Sequence, residues 1–226
     1  GYEGQGVKIA VLDEDYQSDD TMAGWAKFPL GEAKEGGHGI PVAKVLHEAA
    51  PQAEIHLFNY LNGNDQERAA IIDYIIRNHY DMVNVSLSIS DGKNEPVRLL
   101  ESTNIPVIVA SGNDGNEDKL RFPASADWTI AVGAMSEHQN EVCYYSNGGT
   151  KLDCVGFSYI NYVNSKGKSV EFTGTSCAAP FITGMIACWL SWCKKIGYKP
   201  GREAVRQLIA ENCLDYEAEG KDKTSG

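Results

Sequence analysis

The order of apolar segments along this chain predicts an α/β protein with three layers, in which a mostly parallel β-sheet lies between helices on both faces. Short β-rich runs alternate with longer segments whose apolar residues recur at helical spacing. The first strand-like run is apolar on both faces, which is typical of a parallel strand that helices cover. Strands that alternate with helices in this way form an open parallel sheet.

The chain up to Ala110 supplies most of the sheet. The predicted elements are strand 6–12, helix 40–50, strand 54–60, helix 65–78, strand 82–87, helix 96–102 and strand 105–110. The first strand ends at Asp13, whereas residues 14–35 are polar without a clear period and are expected to wrap the surface. Pro51 closes the first helix, because proline cannot continue it.

The second half of the chain predicts two further strand regions and two helices. These are strand 128–133, a hairpin or pair of short strands at 143–155 around Asn147-Gly148-Gly149, a helix from 175 or 176, and a last helix at 202–212. Thr175 or Ser176 opens the first of these helices, because both residue types favour the helix cap. Pro180 then lies near the end of the first turn, the part of a helix that tolerates proline, and the apolar segment from Phe181 to Trp192 predicts burial.

Length and composition indicate one globular domain. The 226 residues allow one domain with a sizeable core, or at most two small ones, and 42% hydrophobic with 23% charged residues is ordinary. We place the domain at 1–214 and a polar C-terminal tail, expected to fray, at 215–226. The net charge of −11 argues against nucleic acid and anionic membranes as partners. The sequence contains no run of eighteen apolar residues, so it predicts no transmembrane helix.

The cysteines do not form a recognisable motif. Six are too few for a disulfide scaffold in a chain of this length, and none forms a Cys-x-x-Cys pair. They are Cys143, Cys154, Cys177, Cys188, Cys193 and Cys213. We interpret most of them as buried thiols in a reducing compartment, which favours a cytoplasmic location without excluding secretion. A bridge between Cys143 and Cys154 on neighbouring strands remains open.

Four polar residues are predicted to converge at one edge of the sheet. Asp13 ends the first strand and Asn113 follows strand 105–110, while His38 and Ser176 each stand at the start of a helix. Reactive groups collect at the carboxyl ends of parallel strands. Each residue alone has an ordinary interpretation as a cap, a solvated loop residue or a turn residue. Together, the order Asp, His, Ser is one of the chain orders known for acyl-transfer triads.

The segments around these residues resemble the catalytic domain of the subtilisin-like serine proteases, the subtilase family. The resemblance runs from about residue 4 to residue 213 and implies a subtilisin-like fold. Its motifs are Val7–Asp13, Gly37–Ala43, Val109–Gly115, Phe172–Pro180, and Phe122–Ala124 with Ile130–Ala134. The segment Phe172–Pro180, Phe-Thr-Gly-Thr-Ser-Cys-Ala-Ala-Pro, is the most specific of them.

The resemblance implies a serine endopeptidase that works through an acyl-enzyme. Ser176 would attack the scissile carbonyl, His38 would take its proton, and Asp13 would orient the imidazole. The amide of Asn113 and the N–H of Ser176 would bind the oxyanion. A peptide or protein substrate would lie extended between two flanking segments, with further contacts from the oxyanion strand. These substrate-binding residues are Ser86, Leu87, Ser88, Leu61, Asn62, Gly63, Ala110, Ser111 and Gly112.

The chain departs from the family pattern at two motifs. Glu14 and Asp15 stand where relatives have Thr or Ser and then Gly, and adjacent carboxylates repel, so we expect both to point away from Asp13. Ile40 and Pro41 replace the last two residues of the usual His-Gly-Thr-His. The calcium-binding insertion is absent from this region, so we predict no structural calcium, no other metal and no cofactor. We expect no catalytic role for Cys177, because the serine position is filled.

Two further questions stay open at this stage. Arg121 resembles the position at the base of the primary pocket, where it would favour an acidic residue before the cleaved bond; the alternative is a solvated arginine on a shortened loop. A catalytically silent subtilase that binds peptides or partner proteins is the rival function. A prodomain or further domains of a larger chain are additional candidate partners. A nucleotide-binding domain is set aside, because no glycine-rich phosphate turn follows the first strand.

Overall fold

The computed structural model describes residues 1–14, 16–33, 36–89, 95–136, 141–215 and 220–226. Its strands are β1 (Lys8–Asp13), β2 (Ala26–Lys27), β3 (Glu54–Asn59), β4 (Met82–Val85), β5 (Val107–Ala110), β6 (Ile130–Met135), β7 (Leu152–Phe157), β8 (Tyr159–Val163) and β9 (Ser169–Thr173). Its helices are α1 (Gly39–Ala49), α2 (Asp65–Arg77), α3 (Glu95–Arg98), α4 (Thr175–Lys195) and α5 (Arg202–Asn212). A 3₁₀ turn at Leu99–Ser102 follows α3.

Seven strands form one sheet in the order β2-β3-β1-β4-β5-β6-β7, and every neighbouring pair is parallel. The carboxyl ends of these strands therefore meet along one edge of the sheet. Asp13, the last residue of β1, lies between the ends of β3 and β4. The predicted α/β class and parallel sheet are confirmed.

Helices cover the sheet on both faces, which gives the predicted three layers. On one face, Leu46 of α1, Ile186 of α4 and Ile209 of α5 pack in one apolar cluster with the sheet. On the other face, Ile72 of α2 and Val97 of α3 belong to a second cluster. Burial of each such side chain contributes roughly 1.5–3 kcal/mol. By length and composition alone α4 is apolar enough to cross a membrane, but 67% of its most apolar stretch is buried inside the protein, as in a core helix.

The predicted hairpin at 143–155 is wrong. Its second half forms β7, which adds a parallel edge strand beside β6, while Asn147 lies in the connecting loop. The antiparallel hairpin is instead β8–β9, a region to which the sequence analysis gave no element. Lys44 of α1 anchors this hairpin, because its ammonium donates to the carbonyl of Val163 at 2.8 Å and lies over the Tyr162 ring. The short strand β2 was also missed, within the segment expected only to wrap the surface.

The described end of the chain is docked, so the expectation of a frayed tail is wrong for residues 220–226. The N–H of Gly149 donates to the carbonyl of Lys223 at 2.7 Å. The Asp222 carboxylate accepts hydrogen bonds from the backbone N–H groups of Thr224 and Ser225 and from both hydroxyls. The domain boundary at 214 stays a prediction.

All six cysteines are free thiols. The bridge left open between Cys143 and Cys154 is not formed. The sulfur of Cys143 instead lies 3.5 Å from the Ser158 hydroxyl.

Candidate active site

Asp13 and His38 form a hydrogen-bonded pair at the carboxyl end of β1. Oδ1 of Asp13 lies 2.8 Å from Nδ1 of His38 and also accepts the backbone N–H of Glu14 at 2.8 Å. Asp13 is fully buried, whereas 30% of the His38 side chain is exposed. The Phe172 ring meets the imidazole edge-on, with centroids 5.6 Å apart. The imidazole is therefore held by a buried carboxylate on one nitrogen and keeps Nε2 for chemistry.

Charge and burial shift both pKa values in this pair. Burial raises the pKa of Asp13, and the hydrogen bond and charge of His38 oppose that shift only in part. Burial lowers the pKa of His38, but the hydrogen bond and charge of Asp13, with the charge of Glu14, outweigh it, so the net shift is upward. The pair therefore stabilises the imidazolium that forms when His38 accepts a proton.

The glycine after His38 permits a close approach of α1 to β1. A Cβ at Gly39 would lie 2.4 Å from the ring of Tyr16 and 2.8 Å from the carbonyl of Glu14. The N–H of Gly39 donates to that same carbonyl at 3.2 Å. The Glu14 backbone, which any residue type can supply, makes this contact. Glutamate is therefore tolerated at the position where the family has Thr or Ser. The charge of Glu14 still acts on Asp13 and His38, so the expectation that Glu14 points away from Asp13 has only partial support. Asp15 lies outside the described residues.

Ser176 is the second residue of α4, which begins at Thr175 as predicted. The cap residue, however, is Gly174, so the expectation that Thr175 or Ser176 caps this helix is wrong. Its hydroxyl is largely buried and donates to the carbonyl of Ser86 at 3.1 Å. A hydroxyl has one proton, so a hydrogen bond to Nε2 of His38 requires rotation of the Ser176 side chain. The Ser176 N–H lies in the first turn of α4, where a helix offers no internal acceptor. It is therefore suited to bind developing negative charge.

Thr175 orients the amide of Asn113. Oδ1 of Asn113 accepts the backbone N–H of Thr175 at 2.9 Å and the Thr175 hydroxyl at 3.0 Å. The same hydroxyl accepts the N–H of Gly112 at 3.2 Å. With Oδ1 engaged twice, Nδ2 is the donor that Asn113 presents beside the start of α4. Thr175 was identified from the sequence only as a helix opener, and its positioning role was missed.

Two glycines in this region have backbone conformations that other residues rarely adopt. Gly174 has φ +98°, and a Cβ there would lie 3.3 Å from Nδ2 of Asn113. Gly112 has φ +111°, and a Cβ would lie 2.4 Å from Nδ2 of Asn147. These positions therefore favour glycine for both conformation and space.

Asn147 organises the loop that follows β5. Its Oδ1 accepts the N–H groups of Asp114 and Asn116 at 2.9 and 3.1 Å, and its Nδ2 donates to the Asp114 carboxylate at 2.9 Å. Asn147 is 1% exposed. The Asn-Gly signal that predicted a hairpin turn thus marks a residue that supports the oxyanion segment. Sequence reasoning missed this role.

The three predicted substrate-binding segments lie at the carboxyl ends of β3, β4 and β5. Ser86–Ser88 continues from β4, and Ala110–Gly112 runs from the end of β5 to Asn113. Leu61–Gly63 follows β3 on the other side of Asp13, as the sheet order requires. The carbonyls of Leu61 and Gly63 both accept hydrogen bonds from Arg68, so this second edge has fewer main-chain groups to offer a peptide.

Arg121 is paired with Asp114. Two guanidinium nitrogens of Arg121 donate to the Asp114 carboxylate, with Nε 2.5 Å from Oδ2. This contact with Arg121, followed by Asn147, lowers the pKa of Asp114 to about 2. A cavity of about 640 Å³ lies between Ser88 and this pair, and Phe122 also lines it. The positive charge proposed for the primary pocket is therefore already neutralised by a neighbour.

The remaining site expectations concern a thiol and a metal. Cys177 is 1% exposed, and burial raises its pKa to about 12, so the thiol stays protonated. This agrees with the expectation of no catalytic role. Within the described ranges, no group of three His, Cys, Asp or Glu side chains is arranged to hold a metal ion. The absence of structural calcium stays a prediction.

Comparisons with known proteins identify one family. A model of the subtilase family matches residues 4–226. The minor extracellular protease Epr of Bacillus subtilis is 27% identical over all of this chain and 38% of its own length. Subtilisin DY of Bacillus licheniformis is 29% identical over 84% of this chain and 79% of its own length. The chain thus spans well under half of Epr.

A solved structure of similar fold is that of the prenylagaramide maturation protease PagA. It superposes with a TM-score of 0.76 at 25% identity, covering 97% of this chain and 88% of that one. The similarity therefore extends over almost the whole chain.

Proposed function

The chain belongs to the subtilase family of serine endopeptidases, and we propose that it hydrolyses peptide bonds with Ser176 as nucleophile, His38 as general base and Asp13 as the carboxylate that orients the imidazole. The observation that carries this proposal is the 2.8 Å hydrogen bond between Asp13 and His38, whose ring also contacts Phe172, four residues before Ser176. The subtilisin relatives support the same reaction class.

The proposed reaction begins with a change at Ser176. Its hydroxyl leaves the Ser86 carbonyl and donates to Nε2 of His38, which takes the proton as Oγ attacks the substrate carbonyl. Asp13 stabilises the imidazolium. His38 then returns the proton to the leaving amine, and a water molecule, activated by the same imidazole, releases the acid from the Ser176 ester.

The oxyanion would be bound by Nδ2 of Asn113 and the N–H of Ser176. Thr175 fixes the first donor and the start of α4 fixes the second, so neither needs to reorganise during the reaction. In the related subtilisin, loss of one such donor costs about 2.7–4 kcal/mol in the transition state. The Ser86 carbonyl would accept a substrate N–H, which weakens its bond to Ser176 and helps release the hydroxyl.

We propose an extended peptide or protein as the substrate, bound along Ser86–Ser88. Because Asp114 pairs with Arg121, we do not assign a preference for acidic residues before the cleaved bond. Leu120 and Phe122 line the cavity beside the pair, together with Lys119 and the pair itself. An uncharged side chain suits it better than a carboxylate, which would have to compete with Asp114 for the guanidinium.

The rival function is peptide binding without cleavage. The hydrogen bond from Ser176 to Ser86, rather than to His38, is the observation that favours it. This observation does not exclude catalysis, because catalytic hydrogen bonds are often incomplete in unliganded enzymes.

A peptide library read by mass spectrometry separates the two functions. The full chain is incubated with unstructured peptides that differ only at the residue before a chosen bond, with Ser176→Ala as the matched control. We expect cleavage by the wild type, better with Leu or Phe than with Glu, and none by Ser176→Ala. Binding of peptides by both proteins without any cleavage would support the silent subtilase and overturn the proposal.

A further inference from the structure

Two cysteines that are distant in sequence meet where α5 packs on the edge strand β7. Cys154 belongs to β7 and is 2% exposed, whereas Cys213 directly follows α5 and is exposed. Each thiol shifts the pKa of the other, so the two side chains lie within interaction range. This pair lies outside the candidate active site and has no part in the proposed reaction.

The packing of α5 explains the contact. Val205 and Ile209 are buried in the same apolar cluster as Cys154. Residues four apart share a face of a helix, so Val205, Ile209 and Cys213 form one stripe. The N–H of Cys213 donates to the carbonyl of Ile209 at 2.9 Å, which continues the helical hydrogen-bond pattern to the cysteine. The sheet-facing stripe of α5 therefore directs Cys213 onto Cys154.

Ion pairs hold the same two elements together. Nε of Arg206 on α5 lies 3.3 Å from the Asp153 carboxylate on β7. The Gly226 backbone packs against the strand at the same place, since a Cβ there would lie 2.7 Å from the N atom of Cys154. Cys154 and Cys213 therefore belong to two elements that pack against each other, and not to a loose chain end.

The two thiols differ in reactivity. The interaction with Cys154 lowers the pKa of Cys213, which favours its thiolate form. The same contact, together with burial, raises the pKa of Cys154 well above its usual range. The thiolate is the attacking form in disulfide exchange. A cavity of about 570 Å³, lined by Cys213, Arg206 and Lys221, gives a small reagent access to the exposed sulfur.

We propose that Cys154 and Cys213 form a reversible disulfide that fastens the end of α5 to β7 when the protein meets a low-molecular-weight disulfide. The Cys213 thiolate attacks one sulfur of the reagent, which forms a mixed disulfide and releases one small thiolate. Cys154 loses its proton to solvent and attacks the Cys213 sulfur, which releases the second small thiol. Two protein thiols are oxidised to one disulfide, and one small disulfide is reduced to two thiols.

The consequence is a covalent tie across the C-terminal part of the fold. The bridge would close a loop from β7 through the hairpin and both final helices, and closing a long loop restricts the unfolded chain. Oxidation should therefore raise the midpoint of thermal unfolding.

Glutathione disulfide is a suitable probe. The full chain is incubated with an excess of it, alkylated, and digested without reduction for peptide mapping. We expect one linked pair of peptides carrying Cys154 and Cys213, which disappears in Cys213→Ser and persists in the control Cys188→Ser. We also expect oxidation to raise the unfolding midpoint of the wild type and of Cys188→Ser, but not of Cys213→Ser, and dithiothreitol to reverse the rise.

Three results would overturn the proposal in a protein that circular dichroism shows to be folded. They are linkage of Cys154 to Cys143, glutathione retained on Cys213 without transfer to Cys154, and the absence of any oxidation product at either residue. Cys213 is exposed, so its replacement by serine should not unfold the chain. If that variant nevertheless fails to fold, the peptide map of the wild type decides the question alone.

Discussion

The two halves of the candidate site differ in how completely the free protein prepares them. The oxyanion half is finished: Thr175 fixes Asn113 through two hydrogen bonds, and the start of α4 fixes the Ser176 N–H. The proton-transfer half is not, because Asp13 holds His38 while the Ser176 hydroxyl donates to Ser86. In the proposed mechanism, both oxyanion donors are thus held in place before substrate binds, whereas nucleophile activation still requires the Ser176 hydroxyl to change its hydrogen-bond partner.

Removal of the proposed general base tests the proton-transfer half of the site, and it should have the largest effect on kcat. His38→Ala should lower kcat by about 10⁶-fold, the value known for the equivalent loss in the related subtilisin. The matched control is His79→Asn, because His79 is exposed and its φ of +51° suits asparagine. Initial rates on the best library peptide measure both. If His38→Ala retained more than a tenth of the activity, His38 would not be the base.

Removal of an oxyanion donor tests the finished half. Asn113→Ala should lower kcat by about 10²–10³-fold with little change in KM, because Nδ2 acts mainly on the transition state. Asn212→Ala is the control, since the exposed side chain of Asn212 donates to the nearby Leu208 carbonyl at the end of α5. An equal loss in the two variants, or a loss confined to KM, would contradict the assignment of Asn113.

A smaller effect separates positioning from direct contact. Thr175→Val removes the hydroxyl that bonds Asn113 but keeps the backbone N–H, so kcat should fall by up to about tenfold, the size of one hydrogen bond. Thr175→Ser keeps the hydroxyl and should restore most of the rate. If Thr175→Ser does not restore kcat, and both variants lose the same amount of stability, Thr175 has only a packing role.

The pH profile refines the incomplete half further. Neutral imidazole is the base, and Asp13 with Glu14 raises the pKa of His38, so kcat/KM should fall with decreasing pH from a midpoint above about 6.5. Glu14→Gln removes one of the charges that raise this pKa, so the midpoint should move to lower pH. Glu117→Gln, an exposed change outside the triad, is the control. An unmoved or higher midpoint in Glu14→Gln would show that Glu14 does not act on His38.

Sequence patterns predicted those parts of the site that depend on local structure. Asp13 ends a buried strand and Ser176 lies in the first turn of a helix, and both signals come from a few neighbouring residues. The wrong hairpin arose because Asn147-Gly148 has the usual turn composition, although Asn147 is used by another loop. The real hairpin β8–β9 was missed because its strands are short and half-exposed, so their apolar pattern is weak.

Other features depend on tertiary contacts that no local pattern encodes. The pairing of Arg121 with Asp114 requires the loop after β5 to fold back, and it removes the charge argument made from Arg121 alone. The contact between Cys154 and Cys213 likewise depends on the packing of α5 across the sheet edge. The docking of residues 220–226 rests on hydrogen bonds to residues more than seventy positions away.

A fluorophosphonate probe followed by peptide mapping tests the central claim most directly, because it reacts only with a serine whose hydroxyl is activated and whose oxyanion is bound. The account predicts one adduct per chain, on Ser176, with none in Ser176→Ala and strongly slowed labelling in His38→Ala. A folded wild-type protein that stays unlabelled, or carries the adduct on a different residue, would contradict it.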